Sequence, residues 1–163
     1  MRKPKNMVSE GFVSFETAKL LKEKGFNCDR KYVLAFYNEL GFFAPLNTGN
    51  KDYYDYDDFD EYDFIAPTFQ QAINTIKETF NIIIVADYEY ECTDTSWYYK
   101  IYRLGENGKP ERVAITGVRY GIDGSQYTET VGYRDYERSR KEYATRYEAE
   151  EAGIKYCLEN LDL

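Results

Sequence analysis

The most distinctive group of chemically active side chains is a run of carboxylates and aromatic rings at residues 52–63, here called the acidic tract. It holds seven acids and five aromatics in twelve residues and no basic residue. Each triplet within it is an acid, then an aromatic, then a Tyr or Asp. Carboxylates at this density attract cationic surfaces, and aromatic rings supply contact area to a partner. The tract is therefore the first candidate for a binding function.

Most of the net charge of the chain lies in the acidic tract. The 163 residues include 21 Lys and Arg against 29 Asp and Glu, a net charge of −8, and the tract carries −7 of it. The rest of the chain is close to neutral. The acidity of the whole protein therefore describes one segment and says little about the remaining surface.

Two interpretations of the acidic tract need no special geometry. It could be a solvated loop, because Asp disfavours helix and strand interiors and like charges repel. The segment 51–64 is then an acidic-aromatic loop. Alternatively, it docks a protein with a basic surface, with the acids steering that protein and the rings anchoring it. The residues expected to bind the partner are Tyr53, Asp55, Tyr56, Asp57, Asp58, Phe59, Asp60 and Tyr62.

Two further interpretations of the tract fit less well. Duplex DNA presents one charge per about 1.7 Å, whereas an extended tract presents one per about 6 Å, so mimicry of DNA by the tract alone is weak. A calcium-binding loop that starts at Asp55 would need a ligand where Phe59 stands and a Gly where Asp60 stands. Only loose binding of divalent cations would remain.

Enzymatic chemistry has little support in the sequence. The chain contains no His, the commonest general base and metal ligand, and no glycine motif for phosphates, dinucleotides or a nucleophilic serine. Cys28, Cys92 and Cys157 are widely spaced, which is typical of reduced thiols in a cytosol. We predict a non-enzymatic protein with no catalytic residue, no metal ligand and no cofactor. An enzyme that uses carboxylates or a metal is the third-ranked alternative.

A second mixed segment, residues 133–146, places tyrosines between basic residues. Its cations could contact phosphates while its rings stack on bases, and the nucleic-acid contacts would be Arg134, Arg138, Arg140 and Lys141. Three acids interrupt the run, so a surface charge network is the stronger interpretation. A nucleic-acid-associated or DNA-mimic protein is the alternative function. The segment could also bind the acidic tract of a second copy, which leaves a homo-oligomer open.

Three helices are predicted from start and stop signals. The first spans about 15–24, after the N-cap Ser14 and before Gly25. The second opens at 67–71 with a Thr-x-x-Gln capping box, and the last spans about 146–160 after a Thr-x-x-Glu box. Residues 30–43 are apolar and fit either a strand or a short helix that ends at Gly41. We favour the helix.

The middle of the chain has the alternation of β-strands. Ile82, Ile84, Ala86 and Tyr88 share one face, and strands are also expected over 97–104, 112–120 and 126–133. Asn107-Gly108 is the pair that two-residue type I′ hairpins prefer. We predict a single α+β domain over 1–163: an antiparallel meander of three to four strands packed against two or three helices, with a helix–strand–strand–strand–helix core. We expect residues 121–144 to form a hairpin or an insertion.

Four short motifs give the chain a family resemblance. They are VSFETAKLLKEKGF at 13–26, APTFQ at 66–70, YEAEEA at 147–152 and YCLENL at 156–161. Together they resemble small uncharacterised proteins encoded by gut Bacteroidales and their phages. The resemblance implies a bacterial or phage protein of the cytosol, and it brings no assigned activity or functional residue. The longest strongly apolar run, 82–86, is far shorter than a membrane span, so we expect a cytoplasmic protein without membrane contact.

The leading functional hypothesis combines these observations. We expect a small cytosolic protein-binding module of phage or mobile-element type, which contacts a basic protein surface through the acidic tract. The sequence does not identify that partner.

Overall fold

A computed structural model describes residues 11–26, 33–46, 63–90, 95–113, 115–120, 126–131, 143–161 and 163. This part of the chain holds three helices and eight strands, and every strand pair is antiparallel, so the α+β prediction is confirmed. The helices are α1 (Phe15–Glu23), α2 (Phe69–Phe80) and α3 (Arg146–Asn160). The strands are β1 (Ala35–Tyr37), β2 (Phe43–Pro45), β3 (Phe64–Ile65), β4 (Ile82–Tyr90), β5 (Thr95–Leu104), β6 (Pro110–Arg112), β7 (Ile115–Tyr120) and β8 (Gln126–Val131).

The chain divides into two compact units. Unit 1 comprises Met1–Thr75 and Ile154–Leu163, and unit 2 comprises Ile76–Gly153. The prediction of one domain over 1–163 stays a prediction. The predicted loop over 51–64 lies outside the described residues up to residue 62, and Phe64 already belongs to β3. Of the predicted hairpin or insertion over 121–144, the structure describes β8 and the residues from 143 onward.

The caps of all three helices follow the sequence signals. Ser14 Oγ accepts from the amide of Thr17 at the start of α1, and Gly25 ends that helix with a φ of +77° and a bond from the next amide to the Leu21 carbonyl. Thr68 and Gln71 exchange two hydrogen bonds at the start of α2. Thr145 and Glu148 do the same before α3. These local bonds satisfy amides and carbonyls that a helix end leaves without partners.

The sheet of unit 1 corrects the prediction for residues 30–43. Its strand order is β2-β1-β3, so residues expected in a short helix contain the central strand. β1 is paired on both sides, with Phe36 opposite Ala44 of β2 and opposite Ile65 of β3. The helix prediction was wrong because pairing with β2 and β3 decides the conformation of this segment, which is rich in aromatic residues that favour strands.

The predicted meander forms the sheet of unit 2, with strand order β4-β5-β6. The strand expected over 112–120 is broken: β6 ends at Arg112 and β7 begins at Ile115. The fourth predicted strand is present as β8, which pairs with β7 in a separate two-stranded sheet. The β5–β6 turn is not type I′, because only Gly108 of the Asn-Gly pair has a positive φ and the closing bond joins Gly105 to Lys109.

Each unit buries its own set of apolar side chains, and of the face predicted for β4, Ile82 and Ile84 are buried whereas Tyr88 is exposed. Unit 1 buries Val13, Ala18, Leu21, Ala35, Phe36, Ala66, Phe69, Ala72, Ile154, Cys157 and Leu158, and unit 2 buries Ile76, Ile82, Ile84, Tyr98, Tyr99, Ile101 and Ala149. Cys157 is a free thiol, and burial raises its pKa to about 12. It is therefore protonated at neutral pH and packs as a small apolar side chain.

A charged network crosses the β4–β5 pair in unit 2. Lys100 Nζ lies 2.7 Å from Asp87 Oδ2, and the Tyr98 hydroxyl donates to the same oxygen at 3.3 Å. The hydrogen bond from Lys100 lowers the pKa of Asp87. Burial opposes the charge on Lys100, but its bond to Asp87 leaves the lysine pKa above the ordinary value.

The network predicts a pH-dependent part of the stability. The pKa of Asp87 is lowered in the folded state. The ionised carboxylate therefore stabilises the fold above the unfolded-state pKa of about 4. This stabilisation is lost as the pH falls through the folded-state pKa. We expect wild type to exceed Asp87→Asn in unfolding free energy by under about 1 kcal/mol at pH 7, since the Asp87 side chain is 41% exposed. The difference should shrink towards pH 3.

Denaturant titrations of both proteins at a series of pH values measure this difference. The Lys100→Met background is the control, because Asp87 has lost its cationic partner there and the pH-dependent difference should be reduced. A gap between wild type and Asp87→Asn that stays constant down to pH 3 would contradict the assignment.

Candidate functional site

The residues predicted from the sequence to bind a partner lie outside the described part of the chain. This holds for the protein-binding set Tyr53, Asp55, Tyr56, Asp57, Asp58, Phe59, Asp60 and Tyr62 and for the nucleic-acid set Arg134, Arg138, Arg140 and Lys141. Both sets stay predictions.

The structure fixes the two chain ends that flank the acidic tract. On one side, the amide of Leu46 donates to the Leu34 carbonyl at 2.8 Å. On the other side, Lys22 Nζ donates to the Asp63 carbonyl at 2.9 Å. Because β2 and β3 flank β1 on opposite sides, these two ends leave from opposite edges of the unit 1 sheet.

The turn between β1 and β2, residues 38–42, is the most exposed apolar feature in the described part of unit 1, and we call it the apolar tip. Leu40 is 73% exposed and Phe42 is 66% exposed. Large apolar side chains that are exposed to solvent two residues apart in one tight turn are typical of contact sites for another molecule. Glu39 precedes them, so the tip also carries a negative charge.

Hydrogen bonds hold the apolar tip in one conformation. Asn38 Oδ1 accepts from the amides of Leu40 and Phe42, each at 3.0 Å. The Asn38 amide donates to the Phe42 carbonyl at 3.1 Å, and its carbonyl accepts from the Gly41 amide at 2.9 Å. Gly41 has a φ of +82°, which other residues adopt at a cost. The exposed side chains are therefore presented by a constrained backbone.

Aromatic rings support the base of the apolar tip. The ring centres of Tyr37 and Phe43 are 5.3 Å apart, and the ring of Phe15 lies 5.5 Å from Tyr37 and 5.4 Å from Phe64. The Tyr37 hydroxyl donates to the Val13 carbonyl at 2.8 Å. Packing of this kind keeps the two β-strand ends that carry the tip in place.

Two lysines of α1 lie against these rings. Lys19 Nζ is 5.2 Å from the centre of the Phe15 ring, and Lys22 Nζ is 4.7 Å from that of Phe64. Both distances allow cation–π attraction. Lys22 also donates to the Asp63 carbonyl. This hydrogen bond links the last residue of the acidic tract to α1.

Sequence reasoning missed Leu40 and Phe42 because Gly41 was interpreted as the end of a helix. A usable signal was present: Asn38 and Gly41 are three residues apart, and these residue types favour the first and last positions of a type I turn. Placing that turn between two short strands would have put residue 40 at an exposed loop position.

The ranges that the structure describes also bear on metal sites and membrane spans. Across these ranges, no group of three or more His, Cys, Asp or Glu side chains could hold a metal ion. Among the three helices, none is long and apolar enough to cross a membrane.

Comparisons of the chain with models of protein families, with curated proteins and with solved structures find no match.

Proposed function

We propose that the protein is a non-enzymatic protein-binding module whose docking surface is the apolar tip together with the acidic tract. The observation that carries the proposal is the exposure of Leu40 and Phe42 on a hydrogen-bonded turn. A constrained loop loses little conformational entropy when it binds, so its apolar side chains can act as anchors in a partner's pocket.

The acidic composition of the tract that ends next to the tip supports a partner with a basic surface. Phe64 pairs with Tyr37, one residue before the tip begins, so the end of the acidic tract segment lies beside it. Acidic side chains near an apolar anchor speed association with a basic surface and orient it. The partner we propose is a protein that has an apolar pocket surrounded by Lys and Arg.

The biological setting we propose follows from the resemblance to small proteins of gut Bacteroidales and their phages. A phage or mobile-element protein of this kind acts by binding a protein of its host cell. In this proposal the protein acts by binding and not by catalysis, in accordance with the lack of His in the chain.

Removing the two anchors tests the proposal. The double variant Leu40→Ser/Phe42→Ser should lose capture of the partner from host lysate by about tenfold or more, because hot-spot side chains each contribute about 2 kcal/mol. The measurement is the amount of each protein retained by the tagged chain, quantified by mass spectrometry. Capture by wild type should also weaken as salt is raised, since the steering is electrostatic.

Leu34→Ser is the matched control, because Leu34 is an exposed apolar residue that adjoins the other end of β1. It should capture the same proteins as wild type. Changing Asp55, Asp57, Asp58 and Asp60 to Asn should reduce the salt dependence while the tip is intact. Retention of the partner by Leu40→Ser/Phe42→Ser at the wild-type level would refute the docking surface.

A further inference from the structure

A second aromatic surface lies in unit 2, and we call it the aromatic row. Tyr88 of β4 stands directly opposite Trp97 of β5. On its other side, Trp97 exchanges two backbone hydrogen bonds with Tyr143, at 2.9 and 2.8 Å. Directly paired residues of antiparallel strands place their side chains on the same face. Tyr88, Trp97, Tyr143 and Tyr99, which follows Trp97 by two residues, therefore share one face of the sheet.

The rings of the aromatic row are tilted against one another. Tyr88 and Trp97 have ring centres 5.4 Å apart and planes at 47°, and Tyr99 and Tyr143 are 6.3 Å apart at 39°. Rings inclined in this way do not form a flat stacking platform. Tyr88 is 58% exposed whereas Tyr99 is buried, so the row is open at its Tyr88 end.

The first turns of α3 lie along the same face. A Cβ on Gly153 would be 2.8 Å from Ile84 Cγ2 and 3.2 Å from Tyr99 Cβ, so this side of the helix faces the sheet. Glu150 is three residues earlier on that side, about one helical turn closer to the Tyr143 end. It is only 5% exposed. The carboxylate is therefore buried near the row.

The first turns of α3, the helix that packs on this face, carry more acids than bases. Glu148, Glu150 and Glu151 outnumber Arg146 in the first turns of α3. Arg146 Nε donates to Glu150 Oε1 at 2.8 Å, and the described residues supply no other hydrogen bond to that carboxylate. Aromatic faces attract cations, so rings and carboxylates favour the same kind of ligand.

We propose that the aromatic row binds the guanidinium group of an arginine side chain from a partner protein. Guanidinium is planar and weakly hydrated, so it stacks on an open aromatic wall at a lower desolvation cost than an ammonium group does. Addition of a partner strand at β4 is disfavoured at this point, because Asp87 Oδ1 already accepts from the Tyr88 amide at 2.9 Å. This site belongs to unit 2 and does not depend on the apolar tip.

The chain carries its own reporter for this site, because Trp97 is its only tryptophan. The capped peptide Gly-Arg-Gly-Arg-Gly is titrated into the full-length protein while Trp97 fluorescence is followed. We expect a saturable change with this peptide, weaker binding with lysine in place of arginine, and no binding with citrulline, which is the neutral analogue of arginine. Tyr88→Leu should weaken binding about tenfold through loss of the ring.

Two variants keep the test independent of folding and of the tip. Tyr88→Phe retains the ring and should bind like wild type, and circular dichroism checks that Tyr88→Leu is folded. Leu40→Ser/Phe42→Ser should bind the peptide as wild type does. Partner capture through the apolar tip and peptide binding at the aromatic row are therefore tested separately, and either proposal can fail without the other. Equal binding of the citrulline or lysine peptide, or unchanged binding by folded Tyr88→Leu, would overturn the proposal.

Discussion

Gly41→Ala is expected to lower the unfolding free energy by about 3 kcal/mol and to abolish partner capture through the apolar tip. The φ of +82° at Gly41 lies in the region that disfavours a Cβ. A Cβ there would also approach Phe15 Cδ1 to 2.9 Å and Cε1 to 3.0 Å. The Phe15 ring is packed against Tyr37 and Phe64, so it cannot move aside without loss of those contacts.

Gly25→Ala is the matched control for Gly41→Ala. Gly25 has nearly the same φ, +77°, but a Cβ on it would meet no atom within 4 Å. Gly25→Ala should lower the unfolding free energy by about 1 kcal/mol, through the backbone conformation alone. Denaturant unfolding of both variants separates the strain of the backbone from the clash with Phe15. If the two variants lose the same stability, the contact with Phe15 does not matter.

Gly153→Ala is expected to destabilise the protein by about 2 kcal/mol, although the same change in an exposed helix stabilises by about 1 kcal/mol. The added methyl would lie 2.8 Å from Ile84 Cγ2 and 3.2 Å from both Cβ and Cγ of Tyr99. Ile84 and Tyr99 are buried, and the Tyr99 atoms are close to its backbone. The helix would therefore have to move away from the sheet.

A double-mutant cycle with Ile84→Ala isolates this contact. Ile84→Ala alone should cost about 3 kcal/mol through lost burial and the cavity left behind. In Gly153→Ala/Ile84→Ala the new methyl enters that space, so the double variant should lose clearly less stability than the sum of the singles. Thermal unfolding gives the three values, and a gain in stability for Gly153→Ala would contradict the close packing.

The elements that sequence reasoning placed well carry their signals within a few residues. Ser14 and Gly25 delimit α1, and two capping boxes open α2 and α3, because each box is a pair of bonds between residues three apart. The alternation in β4 is equally local, since Ile82 and Ile84 lie on the one face that packs in the core. The fold class followed from these elements and their order along the chain.

Other elements depend on contacts that no short window contains. β1 has only three residues, too few to show the alternation of a strand. Its backbone hydrogen-bond partners come from β2 and β3, and β3 is about thirty residues away along the chain. The exposure of Leu40 and Phe42 follows from where β1 ends, so it could not be predicted once a helix was assumed. The face shared by Tyr88, Trp97 and Tyr99 could be expected from alternation, but Tyr143 joins it only through distant pairing.

The division of the chain into two units constrains the order of events during synthesis. Unit 2 is continuous in sequence, whereas unit 1 combines Met1–Thr75 with Ile154–Leu163. Three fully buried side chains of unit 1, Ile154, Cys157 and Leu158, come from this last segment, and Lys155 bonds Glu16 across 139 positions. Unit 1 therefore cannot be completed until the last turns of α3 have left the ribosome, whereas every residue of unit 2 has been translated by then.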